Sequence, residues 1–278
     1  MEKKLFAFDI DGTLLNDNKQ VLPSTKKAIE KLLKLDHVVI LSTGRLPVQT
    51  RDFVLELGLK HYIVGAAGAL IYSISTKETE ILSPGIPLRE KKELYQLCKQ
   101  YQRELSFNDG ISFSKVYFGN DVESEIKDEL FYIGGSSRIP IYDDWKKVKK
   151  FFLKKKIIQA SFKAESELTE KVYEYLKNYI SKNVSVHETS RVYAELGIDG
   201  LNKYTAIQKI LEKENISENN VYCFGDSDND FEMISSCING VAMGNAKERI
   251  KKVAKYTIGT NNQNSIYDFL VKQKIISN

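Results

Sequence analysis

Lys4-Leu5-Phe6-Ala7-Phe8-Asp9-Ile10-Asp11-Gly12-Thr13-Leu14-Leu15 is the stretch whose reading decides the fold. Lys4 to Phe8 is a short apolar run of the kind found in strands buried on both faces. It ends in two carboxylates two residues apart, followed by a glycine. In an extended backbone residues i and i+2 point to the same side, so Asp9 and Asp11 can meet one ligand at the carboxyl edge of a sheet. Gly12 then lets the chain turn sharply. Taken alone, the pattern also suits a plain strand with an Asp-Gly turn.

Working outward, Pro23-Ser24-Thr25 opens a segment with Ala28, Ile29, Leu32, Leu33 and Leu35 at helical spacing, and the Ser/Thr pair is expected to cap it. Val38 to Leu41 reads as a second buried parallel strand, ending in Ser42-Thr43-Gly44-Arg45. Pro47 starts the next helix, through about Leu57, and Tyr62-Ile63-Val64 is a third strand running into Gly65-Ala66-Ala67-Gly68-Ala69. Late in the chain a helix over 203–214 precedes Val221-Tyr222-Cys223-Phe224, a strand of the same buried type that ends in Gly225-Asp226-Ser227-Asp228-Asn229-Asp230. A short strand at Gly240–Met243 and helices over 246–254 and 264–274 complete this βα pattern.

Between these halves the rhythm changes. Ser83-Pro84-Gly85-Ile86-Pro87 is too rich in Pro and Gly to continue an element and reads as a hinge. Residues 87–197 hold helical segments near 88–103, 143–153 and 166–180, with strand candidates at Ile111–Phe118 and Ile157–Phe162. Grouped strands with alternating polarity indicate an antiparallel α+β insert. Within it, seven of the eleven residues from Lys146 to Lys156 are lysines, which reads as a solvated helix face with Trp145, Phe151 and Phe152 turned inward.

Composition narrows the function classes. With 278 residues, the chain can bury one large α/β domain or two smaller ones. No apolar run reaches the roughly 18 residues of a membrane span. The Asp pair arrives too early for a signal-peptide core, so a cytoplasmic location is expected. Cys98, Cys223 and Cys237 are too scattered for a disulfide framework or a zinc site, and His37, His61 and His187 show no metal-ligand spacing. A net charge of +4 is too mild to suggest a nucleic-acid partner.

In a parallel sheet all the carboxyl ends lie along one edge. Asp9 and Asp11, Thr43, Ala67-Gly68 and Asp226 to Asp230 are therefore expected to converge, with Lys203 at the start of a nearby helix. This set suits a phosphoryl group. Carboxylates alone repel a phosphate dianion, so a divalent cation must sit between them, and an all-oxygen donor set points to Mg²⁺. One Asp can then attack phosphorus while Lys and hydroxyl groups neutralise the equatorial oxygens, and a second carboxylate can protonate the leaving oxygen and later activate water.

The order D-x-D-G-T, S/T-G-R, Lys, G-D-x-x-N-D, followed by Ala242-Met243-Gly244-Asn245-Ala246, resembles the haloacid dehalogenase-like phosphohydrolases of the Cof-type (IIB) branch across essentially the whole chain. The resemblance implies a doubly wound, mostly parallel Rossmann-like core over 1–83 and 198–278, and an inserted α+β cap over 84–197. It makes Asp9 the nucleophile and a Mg²⁺ ligand, and Asp11 the acid/base whose backbone carbonyl also binds the metal. Thr43, Gly44 and Lys203 would hold the phosphoryl group and Asp226 would be a metal ligand. Asn229 would touch substrate or a metal-bound water, and Asp230 would support these groups from behind. The implied activity is hydrolysis of small phosphate monoesters, such as sugar phosphates or phosphorylated cofactors, through a phospho-aspartate. The expected protein is a monomer or weak homodimer with no nucleic-acid or membrane partner.

Two departures from the branch stand out. Ala67-Gly68-Ala69 replaces its usual Asn-Gly-Ala, and Tyr204 follows the motif Lys203 where Gly is common, a change expected to narrow the pocket. Two other functions compete with a phosphatase: a phospho-acceptor signalling domain, disfavoured by the insert and by Asp11, and a catalytically weak phosphometabolite-binding protein, which the loss of Asn at Ala67 would allow.

Overall fold

The structure is a computed structural model describing residues 2–118, 141–142, 145–189 and 192–277. Met1–Glu80 with Asn202–Asn278 makes one compact unit, and Ile81–Leu201 a second.

In the first unit the chain runs β1 (Leu5–Phe8), α1 (Pro23–Lys34), β2 (Val38–Ser42), a 3-10 turn (Pro47–Thr50), α2 (Arg51–Glu56), β3 (Tyr62–Gly65), β4 (Leu70–Ser73) and β5 (Glu78–Ile81). It returns at α6 (Lys203–Glu214), β12 (Val221–Gly225), α7 (Phe231–Ser236), β13 (Asn239–Ala242), α8 (Glu248–Val253), β14 (Tyr256–Thr257) and α9 (Ser265–Lys272). The strands form one sheet in the order β14-β13-β12-β1-β2-β3-β4-β5. It is parallel from β14 to β3, and β4 pairs antiparallel with β3. This is the α/β, mostly parallel fold anticipated above. β1 sits where the order reverses, the place at which open α/β sheets bind ligands.

Burial explains why β1 is central. All four of its residues are fully buried. Phe6 and Phe8 face a cluster with Val39, Leu41, Phe224, α1 and α9, while Leu5 and Ala7 alternate to the other side. Phe8 stacks on Phe224 with ring centroids 4.6 Å apart, a pair whose burial is worth about 1.5–3 kcal/mol for each ring.

Two local expectations change. Leu22, not the Ser/Thr pair, is the N-cap of α1, and no side chain caps it. Pro23 already takes the first helical position, so Ser24 and Thr25 lie inside the first turn. Residues 83–87 carry no regular secondary structure, and the two strands before them, β4 and β5, extend the core sheet.

The second unit runs α3 (Leu88–Tyr101), β6 (Glu104–Asn108), β7 (Phe113–Val116), β8 (Ile141–Tyr142), α4 (Trp145–Lys154), β9 (Gln159–Lys163), α5 (Ser166–Tyr179), β10 (Val184–Thr189) and β11 (Tyr193–Ile198). Its strands are ordered β10-β11-β9-β6-β7-β8, antiparallel except for β7 with β8. Leu105, Phe107, Ala160, Phe162, Ala194 and Leu196 turn one face toward a core with α3, α4 and α5. The alternate residues are polar and paired across strands, Ser106 with Ser161 at 2.8 Å and Asn108 with Gln159 at 2.7 Å. In α4, Val148 and Phe152 are buried while Lys149 and Lys150 are exposed, as a solvated lysine face requires. The side chain of Trp145 and the first two residues of the expected helix at 143–153 lie outside the described residues.

Candidate active site

Register brings the strand-end groups together. Phe8 pairs with Phe224 on one side and with Leu41 on the other, so Asp9 is level with Gly225 and Ser42, and Asp226 and Thr43 come one residue later. The Asp9 N–H donates to the Phe224 carbonyl at 3.0 Å, which continues the ladder one residue past β1. Asp9, buried, accepts from Lys203 Nζ at 2.6 Å through Oδ1.

Lys203 is placed by two features of its own loop. The Asn202 side chain caps α6, accepting from the backbone N–H of Tyr204 at 2.9 Å and of Thr205 at 3.0 Å. Gly68, with φ +102°, lies against Asn202 so closely that a Cβ there would come within 2.1 Å of the Asn202 carbonyl oxygen. Only glycine allows that approach. The ammonium of Lys203 then sits between Asp9 Oδ1 and Asp230 Oδ1, each at 2.6 Å, with Asn229 Oδ1 a third and longer partner at 3.4 Å.

Asp230 is spent on structure. Its Oδ2 accepts from the backbone N–H groups of Asp226 and Ser227, both at 3.0 Å, and from Ser227 Oγ at 3.3 Å, while Oδ1 takes Lys203. Asp226 accepts from Thr13 Oγ1 at 2.9 Å through Oδ1. Among the described residues this leaves Asp9 Oδ2 and Asp226 Oδ2 with no protein donor. Asp228, the middle acid of the run, turns to Lys247 and Arg249.

Asp11 takes a different partner. Its carboxylate receives a two-armed fork from Arg45, Nε to Oδ2 at 3.0 Å and Nη2 to Oδ1 at 2.9 Å, and Lys19 Nζ lies 3.6 Å away. Asp11 and Asp9 share a sheet edge but no hydrogen bond. Thr43 is buried; its Oγ1 accepts from the Arg45 N–H at 3.2 Å, so the hydroxyl proton stays available. A side chain built on Gly44 would come within 3.9 Å of Asn229 Nδ2, which puts the motif-two loop beside Asn229.

Electrostatics show what the site lacks. Ionised, Asp9, Asp226 and Asp230 would set three negative charges against the single ammonium of Lys203, with carboxylate oxygens within 4.8 Å of one another. Burial pushes the Asp9 carboxyl well above its usual range, Asp230 adds to this, and Lys203 offsets it only in part. Burial and then Asp230 lift Asp226 to about 7. For Lys203, burial alone would lower the pKa, but Asp230 and Asp9 override it and hold the group protonated. A divalent cation would neutralise this excess. The two free carboxylate oxygens and an all-oxygen surrounding fit such an ion. Asp9 and Asp226 are its side-chain ligand candidates, because both oxygens of Asp230 are taken.

Sequence reasoning missed three contributors. Arg45 was visible beside Thr43-Gly44, and its forked guanidinium is the side chain best suited to grip a carboxylate. Thr13, within the first motif, steadies Asp226. Asn245 donates to the Gly12 carbonyl at 2.8 Å. The two departures also resolve. Tyr204 is buried and turns inward beside Cys237 and Cys223, so it does not narrow the site as expected. Ala67 adopts a left-handed conformation, φ 53° and ψ 31°, with its N–H on the Thr43 carbonyl at 3.0 Å.

Comparison with known proteins gives the family and the fold. Residues 6–270 match the family model described as haloacid dehalogenase-like hydrolase. The chain is 28% identical over 268 residues to the 5-amino-6-(5-phospho-D-ribitylamino)uracil phosphatase YcsE of Bacillus subtilis, covering 95% of this chain and 92% of the relative. It is 24% identical over 290 residues to the pyridoxal phosphate phosphatase YbhA of Escherichia coli, covering 99% and 100%. The solved structure of the subclass IIB sugar phosphatase BT4131 superposes with a TM-score of 0.83 at 23% identity, covering 99% of this chain and 100% of that one, which shows a shared fold.

Proposed function

With the chain a member of the haloacid dehalogenase-like hydrolases, and a phosphatase like the relatives that match nearly its whole length, we propose that it hydrolyses small phosphorylated metabolites through a phospho-aspartate on Asp9 with Mg²⁺ as cofactor. The observation that carries this reading is the free Oδ2 of Asp9, beside an ammonium already held at 2.6 Å and across a sheet edge from the Thr43 hydroxyl. Phosphorylated cofactors and sugar phosphates are the substrate class, in keeping with what the relatives' names say of those proteins. The unit Ile81–Leu201, inserted into the core and built on a different sheet, is the substrate-selecting cap.

A carboxylate oxygen of Asp9 attacks phosphorus, and the bond to the leaving oxygen breaks as that oxygen takes a proton from Asp11, which enters this step protonated. The equatorial oxygens accept from the Thr43 hydroxyl, the Gly44 N–H and the Lys203 ammonium, whose weak third contact to Asn229 is the one most readily exchanged. In the second half Asp11 takes a proton from water, the water oxygen bonds to phosphorus, and the acyl-phosphate bond breaks to return Asp9 and release phosphate. Arg45 holds Asp11 throughout the approach: a protonated Asp11 gives up one arm of the fork to its O–H, and that arm re-forms when the proton passes to the leaving oxygen. Mg²⁺, which Asp9, Asp226 and the Asp11 carbonyl would hold, would supply the positive charge that lets a phosphate dianion approach these carboxylates.

The test is turnover of a panel of phosphorylated metabolites with Mg²⁺, after exhaustive chelation, and by Asp9→Asn. The amide is nearly isosteric but forms no acyl phosphate. Turnover that survives chelation, or that persists near wild type in Asp9→Asn, overturns the reading.

A further inference from the structure

The segment after β13 joins the two loops that carry the acidic groups. Lys247 N–H donates to the Asp226 carbonyl at 3.2 Å, and Asn245 Nδ2 donates to the Gly12 carbonyl at 2.8 Å. Gly12 is the critical point of the first loop. Its φ is +85°, and a Cβ there would meet Asp226 Oδ2 at 2.5 Å, so its backbone lies directly against the Asp226 carboxylate. Fixing the Gly12 carbonyl fixes the peptide plane that leads into Thr13, whose hydroxyl holds Asp226 at 2.9 Å. It also limits the rotation of the preceding peptide, which carries the Asp11 carbonyl.

Asn245 is itself held. Its Oδ1 accepts from the Asn261 N–H at 3.0 Å, and buried Asn261 donates through Nδ2 to the Leu15 carbonyl at 2.9 Å and to Asp17 Oδ1 at 3.2 Å. Two amides thus clasp the 12–15 loop at both ends. Asn262 adds an outer, exposed pair of bonds to Asp17, at 3.1 and 2.9 Å. A solvent-side Asn at 245 could satisfy itself with water. Its use on a loop carbonyl 233 residues away indicates a demand for backbone orientation.

We propose that Asn245 is a positioning residue, which through the Gly12 carbonyl holds the Asp11-Gly12-Thr13 backbone in register with Asp226 and so sets the spacing of the cation-binding oxygens. The inference rests on the reading of Asp9, Asp11 and Asp226 as a cation-dependent phosphoryl-transfer set. Partners of this outer kind typically alter metal affinity or activity by about 10–100-fold when removed.

The experiment uses the full chain with Mg²⁺ alone as the probe, followed by steady-state kinetics on an aryl phosphate. Asn245→Ala removes both bonds. Asn245→Asp keeps an acceptor for Asn261 but has no donor for Gly12, and its added charge would, if anything, favour a cation. Both variants are expected to weaken calorimetric Mg²⁺ binding and the Mg²⁺-induced rise in unfolding temperature by about 10-fold or more in dissociation constant. kcat falls at fixed Mg²⁺ and recovers as Mg²⁺ is raised, while substrate KM and the metal-free unfolding temperature stay near wild type. Asn262→Ala, which severs only the outer contact to Asp17, leaves all five quantities unchanged.

Wild-type Mg²⁺ binding and kcat in Asn245→Asp overturn the inference, as does a loss of metal-free stability that accounts for the lost activity. Absence of Mg²⁺ binding or of phosphatase turnover in the unaltered protein instead overturns the functional reading on which it rests.

Discussion

Lys203 Nζ donates to Asp9 Oδ1 at 2.6 Å with both side chains buried, so the group assigned as nucleophile is held by the only ammonium that also reaches Asp230 among the described residues. This pair fixes Asp9 through one oxygen and leaves the other free. It also makes the metal-free site sensitive to any change in charge count.

Lys203→Met removes the cation and leaves two carboxylates buried without it. Breaking a buried pair in this way costs about 3–5 kcal/mol. Urea unfolding without metal is expected to show a loss of that order, together with loss of turnover. Added Mg²⁺ should restore part of the stability but not the activity. Unchanged unfolding would show that the buried carboxyl groups need no ammonium.

Asp11→Asn separates the two roles proposed for that residue. An aryl leaving group departs without a proton, whereas a sugar alkoxide needs one, and water attack on the phospho-aspartate needs a base with either. Rapid mixing with an aryl phosphate is expected to release about one equivalent of phenol per site and then stall, and a sugar phosphate to give no burst. Steady turnover near wild type on both would remove Asp11 from the acid/base role.

His37 couples stability to pH. It is buried, its Nδ1 accepts from the Lys4 N–H at 3.3 Å, and burial followed by Lys4 pushes its pKa below 6.5. The folded state therefore binds fewer protons than the unfolded chain, so its contribution is present above 6.5 and is lost as pH falls through the lower folded value. Asp226 acts oppositely, since its raised pKa of about 7 means stability lost as pH rises from 3.8 toward that value. The difference between wild type and His37→Gln isolates the imidazole. Their urea midpoints are expected to converge as pH is lowered from 7.5 to 5.5, and a constant gap would refute the linkage.

Ala67→Asn should stabilise the core. Ala67 sits at φ 53°, where an L residue other than Asn or Gly pays about 1 kcal/mol or more. Asn tolerates that conformation, and the N–H bond to the Thr43 carbonyl is retained. The expected outcome is a raised unfolding temperature with Mg²⁺ binding intact; a fall would show that the loop has adapted to the small side chain.

How much of this was written locally can be judged residue by residue. The apolar run Leu5–Phe8 and its kin at Val38–Leu41 and Val221–Phe224 determine buried parallel strands by composition alone, and strand ends must share an edge once strands are parallel. Asp9, Thr43, Lys203 and Asp226 could therefore be assembled from the sequence before any coordinates. Partner choice could not. Whether Asp11 meets Asp9 or Arg45, whether Asp230 faces an ion or the Asp226 N–H, and whether Tyr204 enters the pocket or the interior depend on register, side-chain direction and competing donors. Those are properties of packing between segments far apart in the chain. Asn245 shows the limit most clearly: its motif is legible over five residues, but its bond to Gly12 spans 233. Backbone periodicity is a local property, whereas hydrogen-bond satisfaction in a buried site is settled only when every element around it is in place.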